Sequence, residues 1–387
     1  MEANLAELSD RLRRGAYRPQ PVRRVYIPKR DGKQRPIGVT ALEDKIVQRA
    51  TVAVLNAVYE PEFAGFSYGA RPGRSAHHAL AALDQAIEKR RVNWVLDADL
   101  RDFFGSLDHS HLIRFVEHRI GDKRVVRLIR QWLAAGVLED GAWTSSEAGA
   151  PQGGNISPLA ANLYMHYVFD LWAQRWRRTV AHGDVVMVRY LDDFIVGFQN
   201  RRDAEGFLEA LRERLGQFGL RLHPDKTRLL EFGRFAAQNR HERGQRKPET
   251  FQFLGFVHVC GRTRKGWFTV QRHTAAERLR AKLKEVKAEL RQRRHAPVPE
   301  VGQWLGAVVR GHCQYYGIAG NSRAIRRFRD EVSRLWHRAL SRRSQKGQVK
   351  WERMQRLIQR WLPLAHIAHP SSSATFAVMT QGKSPVP

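Results

Sequence analysis

Three aspartates give this chain its clearest capacity for chemistry: Asp99 at the end of "NWVLDADL", and the adjacent Asp192 and Asp193 inside "VVMVRYLDDFIVGF". Both stretches read as apolar strands, so two strands of one sheet could bring the carboxylates together. Carboxylates crowded at the ends of apolar strands repel one another and resist desolvation. A hard divalent cation resolves that conflict, because Mg²⁺ prefers one or two carboxylates together with substrate phosphates. Two such ions can activate an attacking hydroxyl and stabilise a leaving oxygen in phosphoryl chemistry. An isolated Asp-Asp is ordinary turn chemistry, so the elements around the pair decide its meaning.

Those elements alternate between helical and strand periodicity. Residues 3–15 space Leu5, Leu8 and Leu12 as an amphipathic helix that Gly15 stops. "VRRVYIPKRDGKQRPIGV" alternates as a hairpin with Asp31-Gly32 at its turn. Helices are expected over 42–58, after Ser75, and through 110–135, with "RDFFGSLD" as a turn. "APQGGNISPLAANLYMHYVFDLWAQRWRR" opens as a Gly/Pro loop and becomes a long helix, with Ser157 as its N-cap and Pro158 in the first helical position. Residues 203–218 read as a helix, 233–250 as a polar loop, and "FQFLGFVHVC" to "GWFTVQR" as short strands. Beyond Thr274 the pattern is helix after helix, near 299–316, 322–343 and 351–361. This places a boundary near residue 273 and a flexible tail at 371–387.

The charge balance narrows the partner. Across 387 residues, 67 Lys and Arg face 38 Asp and Glu, a net charge of +29. This exceeds what solubility requires and points to a polyanion. No apolar run is long enough to span a bilayer, and the N-terminus lacks an apolar signal core, so a cytoplasmic protein without membrane attachment is expected. Cys260 and Cys313 have no metal-ligand spacing and read as ordinary thiols.

The ordered blocks identify a resemblance. "YLDD" on a hairpin, a strand ending in Asp99 before "FF", and "PQGG" with "SPLAANLY" resemble the reverse transcriptases, also maturases, encoded by bacterial group II introns. "IPKRDGKQRPIGVTALEDKIVQRA", "FSYGARPGRSAHHAL", "GLRLHPDKTRLL" and "FQFLGFVHVCGRTRKG" look like further blocks in the expected order, and the likeness continues to "WLPLAHIAHP". The resemblance implies an α+β right-hand polymerase: fingers and palm with an antiparallel sheet over 1–273, then an α-helical thumb or maturase domain over 274–370. Asp99, Asp192 and Asp193 would be the polymerase carboxylates, Asp99 and Asp192 as the main ligands of two Mg²⁺ ions, with Asp193 and Leu100 beside them.

Other roles follow by motif position. Lys29 and Arg35, Phe104, Gln152 and Lys226 would meet the incoming dNTP, with Phe104 against its 2′ carbon. Arg71, Arg74, Gly153, Gly154, Leu254, Gly255, Arg278, Lys282 and Lys284 would contact nucleic acid. The partners implied are intron or template RNA and a DNA primer, with the protein a monomer or homodimer. Each position has a plainer reading as well: an exposed basic hairpin, a core aromatic, a helix-entry loop, a solvated lysine, an apolar turn. Of the thumb aromatics, most read as helix packing.

Several positions depart from the family pattern. Gly105 stands where Asp usually follows "FF", Asn155 replaces an apolar residue, Leu191 replaces Ala, and Ala70 replaces Phe. The family's further N-terminal segment and an endonuclease module are not matched, so self-contained second-strand cleavage is not expected. Three readings remain open: an active RNA-directed DNA polymerase with a maturase role, a polymerase-inactive RNA-binding maturase or a domesticated enzyme of defence or repair, and a palm-fold nucleotidyl cyclase.

Overall fold

The computed structural model describes residues 2–28, 34–139, 142–144, 149, 153–343 and 348–369. The chain divides between Phe235 and Ala236 into two compact units. The first runs α1 (Glu2–Arg13), β1 (Val22–Pro28), β2 (Gln34–Val39), α2 (Leu42–Tyr59), α3 (Ala76–Lys89), β3 (Trp94–Ala98), α4 (His109–Glu117) and α5 (Lys123–Ala134). It continues with β4 (Val137–Glu139), β5 (Ala142–Thr144), α6 (Ser157–Met165), α7 (Leu171–Thr179), β6 (Val185–Tyr190), β7 (Asp193–Phe198), α8 (Arg201–Gly216) and β8 (Arg228–Glu231).

Two sheets organise this unit. One has the order β2-β1-β4-β5, and the other is wholly antiparallel in the order β6-β7-β3-β8. In the second, Val185 to Val188 and Phe194 to Phe198 are buried without alternation, apart from the small Gly197 the side chains being apolar throughout. That continuity reflects covering by helices, α8 against β3 and β7, and α3 against β6. Helix entry follows local chemistry where the side chain permits: the Ser75 hydroxyl accepts from the His78 N–H, and Asp108 accepts from that of His111.

The second unit holds α9 (Ala236–Glu242), β9 (Phe251–Phe253), β10 (Phe256–Arg262), β11 (Phe268–Thr274), α10 (Ala276–Gln292), α11 (Val298–Tyr316), α12 (Ser322–Ser341) and α13 (Trp351–Trp361). Its helices close on Leu279, Val286, Leu290, Leu305, Val309, Phe328, Val332 and Trp336. The antiparallel sheet β11-β10-β9 belongs with these helices, because the Tyr315 hydroxyl donates to the Leu254 carbonyl and Phe256 packs against Tyr315 and Tyr316. The compact division therefore lies upstream of the expected boundary near 273.

Two local expectations are corrected. The helix after "PQGG" has Ile156, not Ser157, at its N-cap; Ser157 is its buried first residue, and a π-turn at His166–Asp170 separates α6 from α7. The expected loop at 233–250 contains α9, begun by Ala236 and Ala237, both good helix formers. The Asp31-Gly32 turn and the 371–387 tail lie outside the described residues. Among those described, no helix is long and apolar enough to cross a membrane.

Candidate active site

Strand register brings the three aspartates together. In β3 and β7, Asp97 faces Ile195 and Ala98 faces Phe194. Continuing the ladder by one residue sets Asp99 opposite Asp193, the first residue of β7. Alternation puts Asp97 on the same face as Asp99. Four carboxylates, those of residues 97, 99, 192 and 193, thus gather at one end of the sheet.

Their electrostatics record the crowding. Although solvent reaches Asp193, its carboxyl is pushed up to about 7, first by desolvation and then by the charges of Asp192, Asp99 and Asp97, with Lys226 opposing. Asp97 is raised to about 6 by burial, against the pull of Arg228 at 3.3 Å. The Lys226 ammonium lies 2.6 Å from Asp99 Oδ2. The backbone fixes that lysine's loop, because the His223 N–H donates to the Asp99 carbonyl and the Lys226 N–H to that of His223. Among the described residues, no three His, Cys, Asp or Glu side chains already converge as a metal site. The donor set nevertheless fits a hard cation: all the ligands are oxygen, and their mutual repulsion raises a carboxyl that positive charge would relieve.

The turn between β6 and β7 is held from beneath. Leu191 has φ +59°, a left-handed conformation uncommon for a branched side chain. The fully buried Arg189 pairs with Asp170 at 2.7 and 2.5 Å, and donates to Asn162 Oδ1 at 3.0 Å and to the Leu191 carbonyl at 2.9 Å. Asn162 in turn donates to the Gly69 carbonyl, and the Tyr68 N–H donates to the Arg189 carbonyl. Gly69 fits so closely that a Cβ there would lie 2.5 Å from the Leu191 nitrogen. Asp97, Arg189, Asp170, Asn162 and Gly69 were not among the expected site residues. Only Asp97 had a sequence signal, the period-2 relation to Asp99.

The other expected positions separate. Leu100 is buried, bridged to Leu222 just beyond β3. Phe104 is half-buried and edge-to-face with Phe103, in the 3₁₀ turn Phe103–Gly105. In that turn the Asp102 carboxylate fills the space a side chain at Gly105 would need. Lys29 and Gln152 lie outside the described residues, and Arg35 is placed only by its β2 register opposite Ile27. Gly153, at φ +120°, approaches the carbonyl of Gly38 so closely that a Cβ would collide; its freedom serves packing against β2, and the following Gly154 is buried.

Arg71 is a correction. It is buried, and its donors are consumed by Glu60 and the carbonyls of Ala64, Ser67 and Glu60, so none is left for nucleic acid. Arg74 is largely taken up similarly, donating to the carbonyls of Gly65 and Ser67 beneath Tyr68. In the second unit, Leu254 and Gly255 form the left-handed turn between β9 and β10, anchored by Tyr315. Arg278 and Lys284 are exposed on α10, and Lys282 pairs with Glu285 at 2.6 Å.

The model of the family described as reverse transcriptase (RNA-dependent DNA polymerase) matches residues 27–258. "Protein YkfC" of Escherichia coli (strain K12) is 35% identical over 262 residues, 59% of this chain and 68% of that protein. "Group II intron-encoded protein LtrA" of Lactococcus lactis subsp. cremoris is 39% identical over 166 residues, 43% of this chain and 27% of that protein. An "uncharacterized 91 kDa protein in cob intron" of Schizosaccharomyces pombe is 38% identical over 146 residues, 38% of this chain and 18% of that protein. The chain thus spans well under half the length of two of these three relatives.

Proposed function

Because the chain belongs to the reverse transcriptase (RNA-dependent DNA polymerase) family, we propose that it extends a DNA primer by copying RNA, joining the primer 3′-hydroxyl to a dNTP in the cytoplasm. The observation that carries this reading is the gathering of Asp97, Asp99, Asp192 and Asp193, with Asp193 raised to about 7 by desolvation and its neighbours. Asp99, Asp192 and Asp193 are the residues to hold Mg²⁺. When bound, a pair of these ions would supply hydroxyl activation and stabilise the leaving pyrophosphate.

The chain's own residues do the positioning. Arg189 and Gly69 hold the turn so that Asp192 and Asp193 keep one orientation without reorganising during the reaction. Lys226 shields Asp99 in the free protein and shifts to the triphosphate when the nucleotide enters, a point charge exchanging one oxyanion for another. Phe104 walls the nucleotide's 2′ side. In this reading residues 1–273 act as fingers and palm, and the helices from α10 onward as the thumb.

A linked role in binding intron RNA as a maturase draws on the similarity to intron-encoded proteins and on the +29 net charge. Primer extension on an RNA template tests the polymerase reading. The expected result is a DNA product complementary to the template that requires a primer and Mg²⁺ and is lost in Asp99→Asn. A product formed from NTPs without template would instead assign a cyclase. RNA binding with no synthesis under any divalent cation would leave only the maturase role.

A further inference from the structure

We propose that the β10–β11 hairpin binds unpaired RNA, with Trp267 as a stacking platform for a base and Arg262, Arg264 and Lys265 as contacts to the flanking phosphates. This deepens the nucleic-acid reading above and rests on it for the partner's class.

Trp267 is 72% exposed. Of the other tryptophans of its unit, Trp336 is fully buried, Trp304 lies under the Arg293 guanidinium, and Trp361 packs so tightly on α11 that a Cβ at Gly302 would meet its ring at 2.6 Å; Trp351, 47% exposed, rests edge-to-face on His337. Trp267 has no such neighbour in its strand register, where the ladder's last pair is Arg262 with Phe268. A free indole face presented to solvent suits a flat, apolar ligand surface.

The ring is presented by a fixed turn. The Thr263 N–H donates to the Trp267 carbonyl at 2.8 Å, the Gly266 N–H to the Thr263 carbonyl at 2.9 Å, and the Trp267 N–H to the Thr263 hydroxyl at 3.2 Å. Gly266 supplies the left-handed φ of +82° that closes the turn. Behind it, seven register pairs run from Phe256 with Thr274 to Arg262 with Phe268. The backbone of the turn is therefore already ordered before a ligand arrives, and binding has only the exposed side chains left to immobilise.

Charge selects the partner. Arg262, Arg264 and Lys265 are exposed and make no ion pair among the described residues. From Phe251 to Thr274 the sequence contains no Asp or Glu. Stacking on an aromatic ring beside phosphate-tracking cations is how single strands are held, since every base has a π-face and unpaired bases can leave their own stack. A duplex would offer phosphates but no free base face. A protein partner is disfavoured because one ring among cations lacks the apolar, charge-depleted centre of a protein interface.

The test uses the full chain and measures binding to a single-stranded RNA oligonucleotide containing 2-aminopurine, to a blunt RNA duplex, and to phosphatidylglycerol vesicles. Trp267→Ala should weaken single-strand binding about 10-fold and abolish the 2-aminopurine quenching, while Trp267→Phe retains both within about 3-fold. Duplex affinity should change by less than about 2-fold in either variant, and Arg264→Gln with Lys265→Gln should flatten the salt dependence. Equal single-strand affinity in Trp267→Ala and the parent overturns the proposal, as does a Trp267→Phe variant as weak as Ala, or vesicle binding that depends on Trp267 while RNA binding does not. Primer extension on the same samples separates the readings. Loss of Trp267-dependent binding with extension intact removes this proposal alone, whereas Trp267-dependent binding without extension removes only the polymerase assignment.

Discussion

The β6–β7 hairpin is buried along both strands and ends in two carboxylates, while the β10–β11 hairpin ends in three cations and an exposed indole. Both turns use a left-handed residue, Leu191 in the first and Gly266 in the second. What surrounds those residues differs. The backbone of Leu191 is gripped by Arg189 and pressed by Gly69, whereas nothing lies within 4 Å of a Cβ built on Gly266. A group that positions reacting atoms must be held against the repulsion of its neighbours, so protein is packed behind it. A group that docks a flexible ligand needs an open face and a fixed turn.

The largest expected effect comes from removing the grip on the first hairpin. Arg189→Met leaves the buried Asp170 with only His166 at 3.9 Å, an imidazole that burial holds toward its neutral form, and should cost about 3–5 kcal/mol, read as a fall in the urea midpoint. Combining it with Asp170→Leu should restore most of that stability while primer extension stays low. Full recovery of extension in the double variant would show that the network serves folding alone.

Next, Gly69→Ala forces a methyl against the Leu191 backbone and should cost about 1–3 kcal/mol with a matching loss of extension rate. Gly266→Ala meets open space and should cost only about 1 kcal/mol, from the left-handed φ. Equal costs in calorimetry would erase the distinction between the two turns.

The smallest effect is on pH dependence. Asp193 titrates at about 7 in the folded chain against 3.8 ordinarily, so the folded state holds the proton more tightly. Stability therefore falls as pH rises from about 4 through about 7, and the penalty is fully present above that range. Asp193→Asn should raise the melting temperature at pH 8 and have no effect near pH 4. Because solvent reaches the group, the gain should be under about 1 kcal/mol, a shift of less than about 2 °C. A constant difference across that range would contradict the crowding of carboxylates.

Much of this arrangement was legible in local pattern. Apolar runs marked β3, β6 and β7, the helical pattern after Ser75 marked α3, and the acidic strand ends marked Asp99, Asp192 and Asp193. The support beneath them was not legible, because Arg189, Asp170, Asn162 and Gly69 meet only through tertiary packing. Arg71 shows the same limit from the other side: its motif suggests a surface cation, yet Glu60 and three carbonyls consume its donors. Ser157 was misread as a cap because its burial is invisible in a Ser-Pro pair. Trp267 was equally hidden, since an aromatic in an alternating strand reads as core until its exposure is known.

The account turns on whether the carboxylates of the β6–β7 turn perform chemistry while the cationic hairpin and helices perform binding. The direct test is single-turnover primer extension by Asp192→Asn with RNA template–primer in saturating excess, its affinity measured in parallel. Extension should fall by at least about 100-fold with affinity unchanged within about 2-fold. Extension at the parent rate, or a loss explained entirely by weaker binding, would contradict it.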